Sequence, residues 1–168
     1  MIFVSVGNAN QGFERLLVAI EALAGKGFFE DNVVMIQSGN NPGFQPVHCK
    51  YRPFFTIDEF IITITKAILI ICHAGAGTLF HILREGKVPV VMPRQKRYAE
   101  HVDDHQVELT KALAAEGRVI PAYEPEDLPA AIEEARRRNT QPIPPPPSRT
   151  LELIAQAIEE LLNQRKYP

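Results

Sequence analysis

Apolar residues fall into two rhythms along this chain. Short continuous runs rich in β-branched side chains alternate with longer stretches where apolar positions recur every three or four residues. The first kind reads as strands buried on both faces, the second as helices with one buried side. Residues 2–6 are such a run. A Gly/Asn-rich loop follows over 7–12, then a helix whose buried side is Phe13, Leu16, Leu17, Ile20 and Leu23, stopped by Gly25-Lys26-Gly27. Residues 32–37 predict a second strand, 40–43 a loop and 47–51 a short third strand. Thr56-Ile57-Asp58-Glu59 has the spacing of a capping box, so a helix opens there and continues through Phe60, Ile61, Ile64 and Ala67. Further strands are expected at 68–72, 89–92 and 119–120. Helices are expected from Gly77 or Thr78 onward, over 107–115 and over 126–138. Strand and helix alternate throughout. The fold class is therefore α/β, a Rossmann-like parallel sheet of about six strands with helices on both faces.

The end of the chain breaks the rhythm. Gln141-Pro142-Ile143 followed by Pro144 to Pro147 suits neither a helix nor an inner strand and predicts a stiff, extended spacer. Ser148 then opens an amphipathic helix with Leu151, Ile154, Ile158, Leu161 and Leu162 on one side. The expected organisation is a body over 1–140, a spacer over 141–147 and a helical tail over 148–168. The apolar stripe of the tail must be covered, by the body, by a partner or by a second copy in a homodimer.

The chemistry concentrates around residues 68–106. After the buried run 68–72 come His73, Ala74, Gly75, Ala76, Gly77 and Thr78. Such a bare backbone lets a ligand approach closely. A strand, a Gly-rich turn and a helix N-terminus together form an anion site, for which a diphosphate is the usual occupant. His73 is either a structural histidine or a ligand-facing one, able to bond a phosphate or a sugar hydroxyl. Thr78 either donates to a phosphate or caps the helix. The loop after the strand at 89–92 carries Arg94, Lys96, Glu100, His101, Asp104, His105 and Gln106. Ligands of open parallel sheets sit beyond the C-terminal strand ends, so both loops face one crevice. Arg94 and Lys96 are candidates to neutralise a diphosphate, and the Asp/His/Gln group offers the donors and acceptors a hexose needs. The carboxylates and imidazoles lack a convergent metal-site spacing, so no metal is expected. The first loop is not G-x-G-x-x-G. Gly7 and Asn8 are candidates there, Asn8 also fitting a plain turn. No G-x-S-x-G is present, and Cys72 lies inside a buried run, so neither serine nor cysteine nucleophile chemistry is expected.

Composition narrows the picture further. A length of 168 residues with 45% apolar content suits one globular domain. The net charge of −2 gives no global basic field, so no nucleic-acid partner is expected. The first residues show no secretory pattern, which predicts that Cys49 and Cys72 are reduced thiols of a cytoplasmic protein. The longest apolar candidate, residues 54–72, is interrupted by Asp58, Glu59 and Lys66 and cannot span a bilayer.

HAGAGT followed by GKVPVVMPRQKRYAEHVDDHQVEL resembles the donor-binding half of family 28 glycosyltransferases. The likeness runs over roughly residues 1–119 and is strongest to the small stand-alone subunits, the Alg13-like and PssE/EpsE-like proteins of exopolysaccharide synthesis. It implies the C-terminal half of a GT-B glycosyltransferase and a hexosyltransferase subunit that inverts the anomeric centre. UDP-sugar would be the donor substrate, with no cofactor. An Alg14/PssD-like membrane-associated subunit would bind the acceptor, a lipid-linked saccharide, at the inner face of the plasma membrane. The catalytic base would come from that other half. The resemblance assigns donor binding to Gly7, Asn8, residues 73–78, Arg94, Glu100, His101, Asp104, His105 and Gln106. It fails at His81, where family members carry a ribose-binding Glu, and that role is not transferred to Glu85. A non-catalytic enhancer subunit and a sugar-nucleotide epimerase or hydrolase are the alternatives.

Overall fold

The computed structural model describes residues 1–138 together with Ile154 and Gln156. Six strands form one parallel sheet: β1 (Ile2–Ser5), β2 (Val34–Gln37), β3 (Lys50–Arg52), β4 (Leu69–Cys72), β5 (Val90–Val91) and β6 (Ile120–Pro121). Their spatial order is β3-β2-β1-β4-β5-β6, and every pairing is parallel. The connecting helices are α1 (Glu14–Gly25), α2 (Ile57–Lys66), α3 (Ala76–Arg84), α4 (His105–Ala115) and α5 (Leu128–Arg138).

Period-two alternation in the strands assigns each side chain to a layer. Ile2 and Val4 of β1 face the cluster built with Leu16, Leu17 and Ile20 of α1 and with Leu128, Ile132 and Ala135 of α5. Phe3 faces the other way, among Phe60 and Ile64 of α2, Leu79, Ile82 and Leu83 of α3, and Leu113 of α4. The Phe3 ring meets Phe55 and Phe60 edge to face at 5.7 and 5.6 Å. Helices therefore cover both faces, as a wholly parallel sheet requires.

The α2 boundaries have explicit causes. Thr56 and Glu59 close the capping box reciprocally. At the other end Lys87 donates from Nζ to the carbonyls of Ile64, Thr65 and Ala67. Its cation thus sits at the carbonyl end of the helix, where the dipole is negative.

Most expected strands are a residue or two longer than those observed. The third differs more: Val47 and His48 lie outside it because their backbone N–H groups donate to the Glu21 carboxylate, not to a ladder. The fifth helix is preceded by a tight turn at Pro125–Asp127. The fourth begins at His105, two residues earlier than its apolar periodicity implies. The spacer at 141–147 lies outside the described residues, as does the tail apart from two positions. Of those two, Ile154 is helical and buried in the cluster that holds Phe3 and Leu113, and Gln156 is helical and exposed. Among the described residues no helix is long and apolar enough to cross a membrane.

Candidate functional site

The strand order fixes where the loops meet. From β1 the chain moves outward through β2 to β3, then returns to place β4 on the other side of β1. The loops leaving β1 and β4 diverge there, opening the crevice in which ligands of such sheets bind. His73 continues β4, its N–H bonded to the Ser5 carbonyl at 3.1 Å.

The His73 ring fills a slot walled by two glycines. A Cβ added at Gly7 would lie 2.4 Å from His73 Cε1 and Nε2, and one added at Gly75 would lie 2.2 Å from Nε2. Gly7 also has φ +75, a conformation that favours glycine. Burial, reinforced by the positive charge of Arg94, pushes the His73 pKa down to about 3. The imidazole is therefore neutral near pH 7. Its Nδ1 lies 3.4 Å from the Ser5 carbonyl oxygen, which can only accept. That places the single proton on Nδ1 and leaves Nε2 as an acceptor. A neutral ring of this tautomer suits a hydroxyl or an N–H of a ligand better than a bare phosphate oxygen.

Donors for an anion come from the next element. Helix α3 starts at Ala76 with Gly75 at its N-cap and no side-chain cap. The Leu79 N–H makes the first intrahelical bond, to the Gly75 carbonyl. The N–H groups of Ala76, Gly77 and Thr78 precede it and have no intrahelical acceptor. Gly77 is exposed, with open space where a side chain would be, and Thr78 is half-buried beside it. Ala74 and Ala76 point into the core, so only their backbones can face a ligand.

The β1 loop is held by a chain of side-chain hydrogen bonds. Ser5 Oγ donates to Gln37 Oε1 at 2.8 Å, and Gln37 Nε2 donates to Asn8 Oδ1 at 2.8 Å. Asn8 is thus oriented from β2 while its side chain stays exposed. This is more than a plain turn residue receives.

Two of the expected ligand residues turn inward, and a third, Asp104, stays exposed but is tied to the backbone. Arg94 is 1% exposed, and its guanidinium donates to the carbonyls of Val6, Gln11, Gly12 and Glu100. It also stacks over Phe13, 5.0 Å from the ring centroid. Where a diphosphate-neutralising cation was expected, its donors bind the β1 loop to the β5 loop. Burial lowers its pKa to about 10, with Glu100 acting the other way. Glu100 is likewise buried. It accepts from Arg15 Nε and Nη2, both at 2.9 Å, and from the Gln95 N–H at 3.0 Å. Asp104 accepts the Lys96 N–H at 2.9 Å and so fastens the tight turn at Lys96–Tyr98. Arg94 and Glu100 are supports of the crevice wall, built because a buried ion or strand-end carbonyl must be satisfied internally.

The remaining members stay at the surface of the crevice. Gln106 accepts the Arg94 N–H through Oε1 at 3.1 Å, which leaves its amide NH₂ end to donate. His105 opens α4 with its side chain 48% exposed. His101 has Nδ1 2.9 Å from Asp103 Oδ1, and it lies near enough to His73 to act on it electrostatically. One residue of this region escapes a reading of the sequence. Arg15 pins the loop through Glu100 and through the carbonyls of Pro93 and Tyr123. Asp103 sits between His101 and His105. The only signal for Arg15 is a charge among apolar positions of α1, which is indistinguishable from a solvated face.

His81 points toward α2, its ring 6.3 Å from Phe60 and 5.6 Å from Phe80. It borders a small hollow of about 100 Å³ with Ile61, Ile64, Arg84 and Glu85. Glu85 accepts from Thr65 at 3.0 Å, away from the α3 N-terminus. Among the described residues no group of three His, Cys, Asp or Glu side chains is placed to hold a metal.

The family is decided by sequence comparison over nearly the whole chain. Residues 1–162 match the glycosyltransferase family 28 C-terminal domain. The chain belongs to that family. A curated relative, the UDP-N-acetylglucosamine–N-acetylmuramyl-(pentapeptide) pyrophosphoryl-undecaprenol N-acetylglucosamine transferase of Ralstonia nicotianae, is 28% identical over 92 residues. The match takes in 55% of this chain and 24% of that protein. In fold the chain is similar to the kitacinnamycin glycotransferase, with TM-score 0.59 and 16% identity over 96% of this chain and 38% of that one. It is similar also to MurG of Acinetobacter baumannii, with TM-score 0.51 and 21% identity over 94% of this chain and 49% of that one. The family 28 domain thus spans less than half of each of these relatives. Its α/β parallel sheet is the one seen in GT-B glycosyltransferases.

Proposed function

We propose that this family 28 domain is the donor-binding half of an inverting glycosyltransferase that takes a hexosyl group from a UDP-sugar. The observation that carries the reading is the meeting of the glycine-walled His73 slot with the uncapped N-terminus of α3 at the sheet's switch point. The diphosphate is placed on the N–H groups of Ala76, Gly77 and Thr78, and the sugar toward His101, His105 and Gln106. As the anomeric C–O bond breaks, negative charge develops on the leaving diphosphate. The positive end of α3 stabilises it without rearrangement. With Arg94 committed to the loops, Lys96, exposed on the same loop, is the side-chain cation left to assist.

The acceptor half and the base that deprotonates the acceptor lie in our reading on a separate, Alg14/PssD-like membrane-associated subunit. A lipid-linked saccharide is the acceptor. The Ralstonia nicotianae relative, named as a transferase acting on a pyrophosphoryl-undecaprenol acceptor, supports a lipid-linked acceptor. The resemblance of the PRQKRYAEHVDDHQ segment to stand-alone subunits of exopolysaccharide synthesis supports the two-component arrangement. Contact with the membrane comes through the partner.

Calorimetric titration with UDP and a panel of UDP-sugars, with and without a co-expressed partner, tests this. Binding of UDP by the chain, and sugar transfer only in the complex, is the expected result. No UDP binding in either form overturns the reading. A complex whose donor Kd equals that of the partner alone identifies an enhancer subunit instead. Turnover of a UDP-sugar without acceptor identifies an epimerase or hydrolase.

A further inference from the structure

Around the start of helix α4, three side chains form a linked unit in which Asp103 is the member the donor reading leaves without a role. Asp103 Oδ1 lies 2.9 Å from His101 Nδ1 and accepts the His105 backbone N–H at 3.1 Å. Asp103 Oδ2 lies 3.3 Å from His105 Nδ1. One carboxylate therefore faces the same nitrogen of two imidazoles. Asp103 is only one quarter exposed, and His101 less, at 13%. Burial alone would raise the Asp103 pKa. The His105 backbone N–H and the two imidazoles outweigh it and hold the carboxyl below its ordinary value. Asp103 is thus an anion, with lone pairs and no proton.

Resting on the donor-site proposal, we infer that Asp103 is a positioning residue that sets the tautomers of His101 and His105, so that both present Nε2 as acceptors to hydroxyl groups of the donor sugar. A carboxylate can only accept, so each Nδ1 facing it must carry the proton. In a neutral ring the other nitrogen is then a lone pair. The Asp103 backbone N–H also lies 3.4 Å from His101 Nδ1. The shorter contact, to a charged oxygen, decides the proton's place. Gln106 next to His105 points the other way in hydrogen-bond sense. Its oxygen is spent on the Arg94 N–H, so its amide NH₂ donates. The cluster thus offers acceptors from two histidines and donors from one glutamine, a set that reads a hydroxyl as both donor and acceptor. It does no bond-breaking chemistry. It selects a polyol over a bare phosphate, because a deprotonated phosphate oxygen finds no donor at either Nε2.

Asp103→Asn tests the inference with little change of shape. Its Oδ1 can keep the His101 Nδ1–H and His105 N–H bonds. Its NH₂ then stands where Oδ2 faced His105 Nδ1, and a donor there requires His105 to move its proton to Nε2. Titrations with UDP, UDP-glucose, UDP-galactose and UDP-N-acetylglucosamine give, for each sugar, the ratio of UDP-sugar to UDP affinity. For the best-bound sugar that ratio is expected to fall about three- to tenfold in Asp103→Asn, the loss of roughly one acceptor bond. Long-range ¹H–¹⁵N NMR of histidine-labelled protein is expected to show both rings as the Nδ1–H tautomer in the wild type, with His105 switched in the variant. Asp103→Glu, which keeps the carboxylate, is expected to retain the wild-type tautomers. Rings found as Nε2–H in the wild type overturn the inference even if no variant folds. Equal losses for UDP and UDP-sugars, or an unchanged ratio, overturn it too while leaving the donor site standing. A wild type that binds no UDP sinks the donor reading and this inference together.

Discussion

Replacing Gly75 by Ala probes the His73 slot directly. The added Cβ would sit 2.2 Å from His73 Nε2, far inside contact distance. The backbone of Gly75, φ −73 and ψ 124, is one that any L-residue adopts, so the conflict with the ring is the main cost. The ring is buried and close-packed, not the free end of a flexible chain. Forcing such a group aside costs about 1–3 kcal/mol. In a His73→Ala background the obstacle is gone. Gly75→Ala should then be close to neutral: lost freedom in the unfolded chain offsets a poorer N-cap, each worth about 0.5–1 kcal/mol. Urea unfolding of the wild type, both single variants and the double variant should give a coupling of about 1–3 kcal/mol. Gly7→Ala supplies the contrast. Its Cβ would meet the same ring at 2.4 Å, but the residue also has φ +75. That conformation adds about 1–2 kcal/mol, which persists when His73 is absent. A Gly75→Ala cost that is the same with and without His73 would refute the slot.

The neutral burial of His73 gives a pH signature. The unfolded chain takes up the proton near the ordinary value of 6.5 and the folded ring resists until about 3, so this contribution to stability is complete above 6.5 and declines as the pH falls through that window. Relative to His73→Gln, the wild type should lose up to about 1.4 kcal/mol per pH unit below 6.5 in denaturant titrations, and parallel profiles would contradict it. Arg94→Lys should cost at least about 2 kcal/mol, since an ammonium cannot reach four carbonyls at once; an unaltered melting temperature with lost UDP affinity would instead return Arg94 to the ligand. Thr78→Ala should weaken UDP by about 0.5–1.5 kcal/mol in calorimetry. The melting temperature should hold, because α3 has no side-chain cap to lose. Lys87→Met should destabilise through the freed α2 carbonyls by about 1–3 kcal/mol, with no effect on UDP binding; a stability equal to wild type would show the cap to be idle.

Much of this molecule is local enough to be read in one dimension. The strands at 68–72 and 89–92, the Thr56–Glu59 capping box and the Gly-rich turn before α3 depend on neighbours in sequence, and the structure has them with boundary shifts of a residue or two. The placement of the β4 and β5 loops at the same end of the sheet follows from parallel connectivity alone. Which polar residues face the crevice does not. Arg94 and His105 are equally polar in the sequence, yet one is 1% exposed and the other has its side chain 48% exposed.

The difference lies in what must be satisfied once the sheet is assembled. The loop after β1 leaves carbonyls at Val6, Gln11 and Gly12 that have to find donors, and the long forked cation within reach is Arg94, on the loop after β5. Glu100 is drawn in by Arg15, 85 residues away in sequence, and Asn8 by Gln37 across the next strand. Gly75 is glycine on account of a ring two residues earlier that turns back over it, not for its own φ. The pattern of apolar residues determined the strands, the helices and the end of the sheet where chemistry can occur. Tertiary packing alone decided which charges became struts and which remained to meet a ligand, because burial penalises an ion without a partner and the partners here lie far away in sequence.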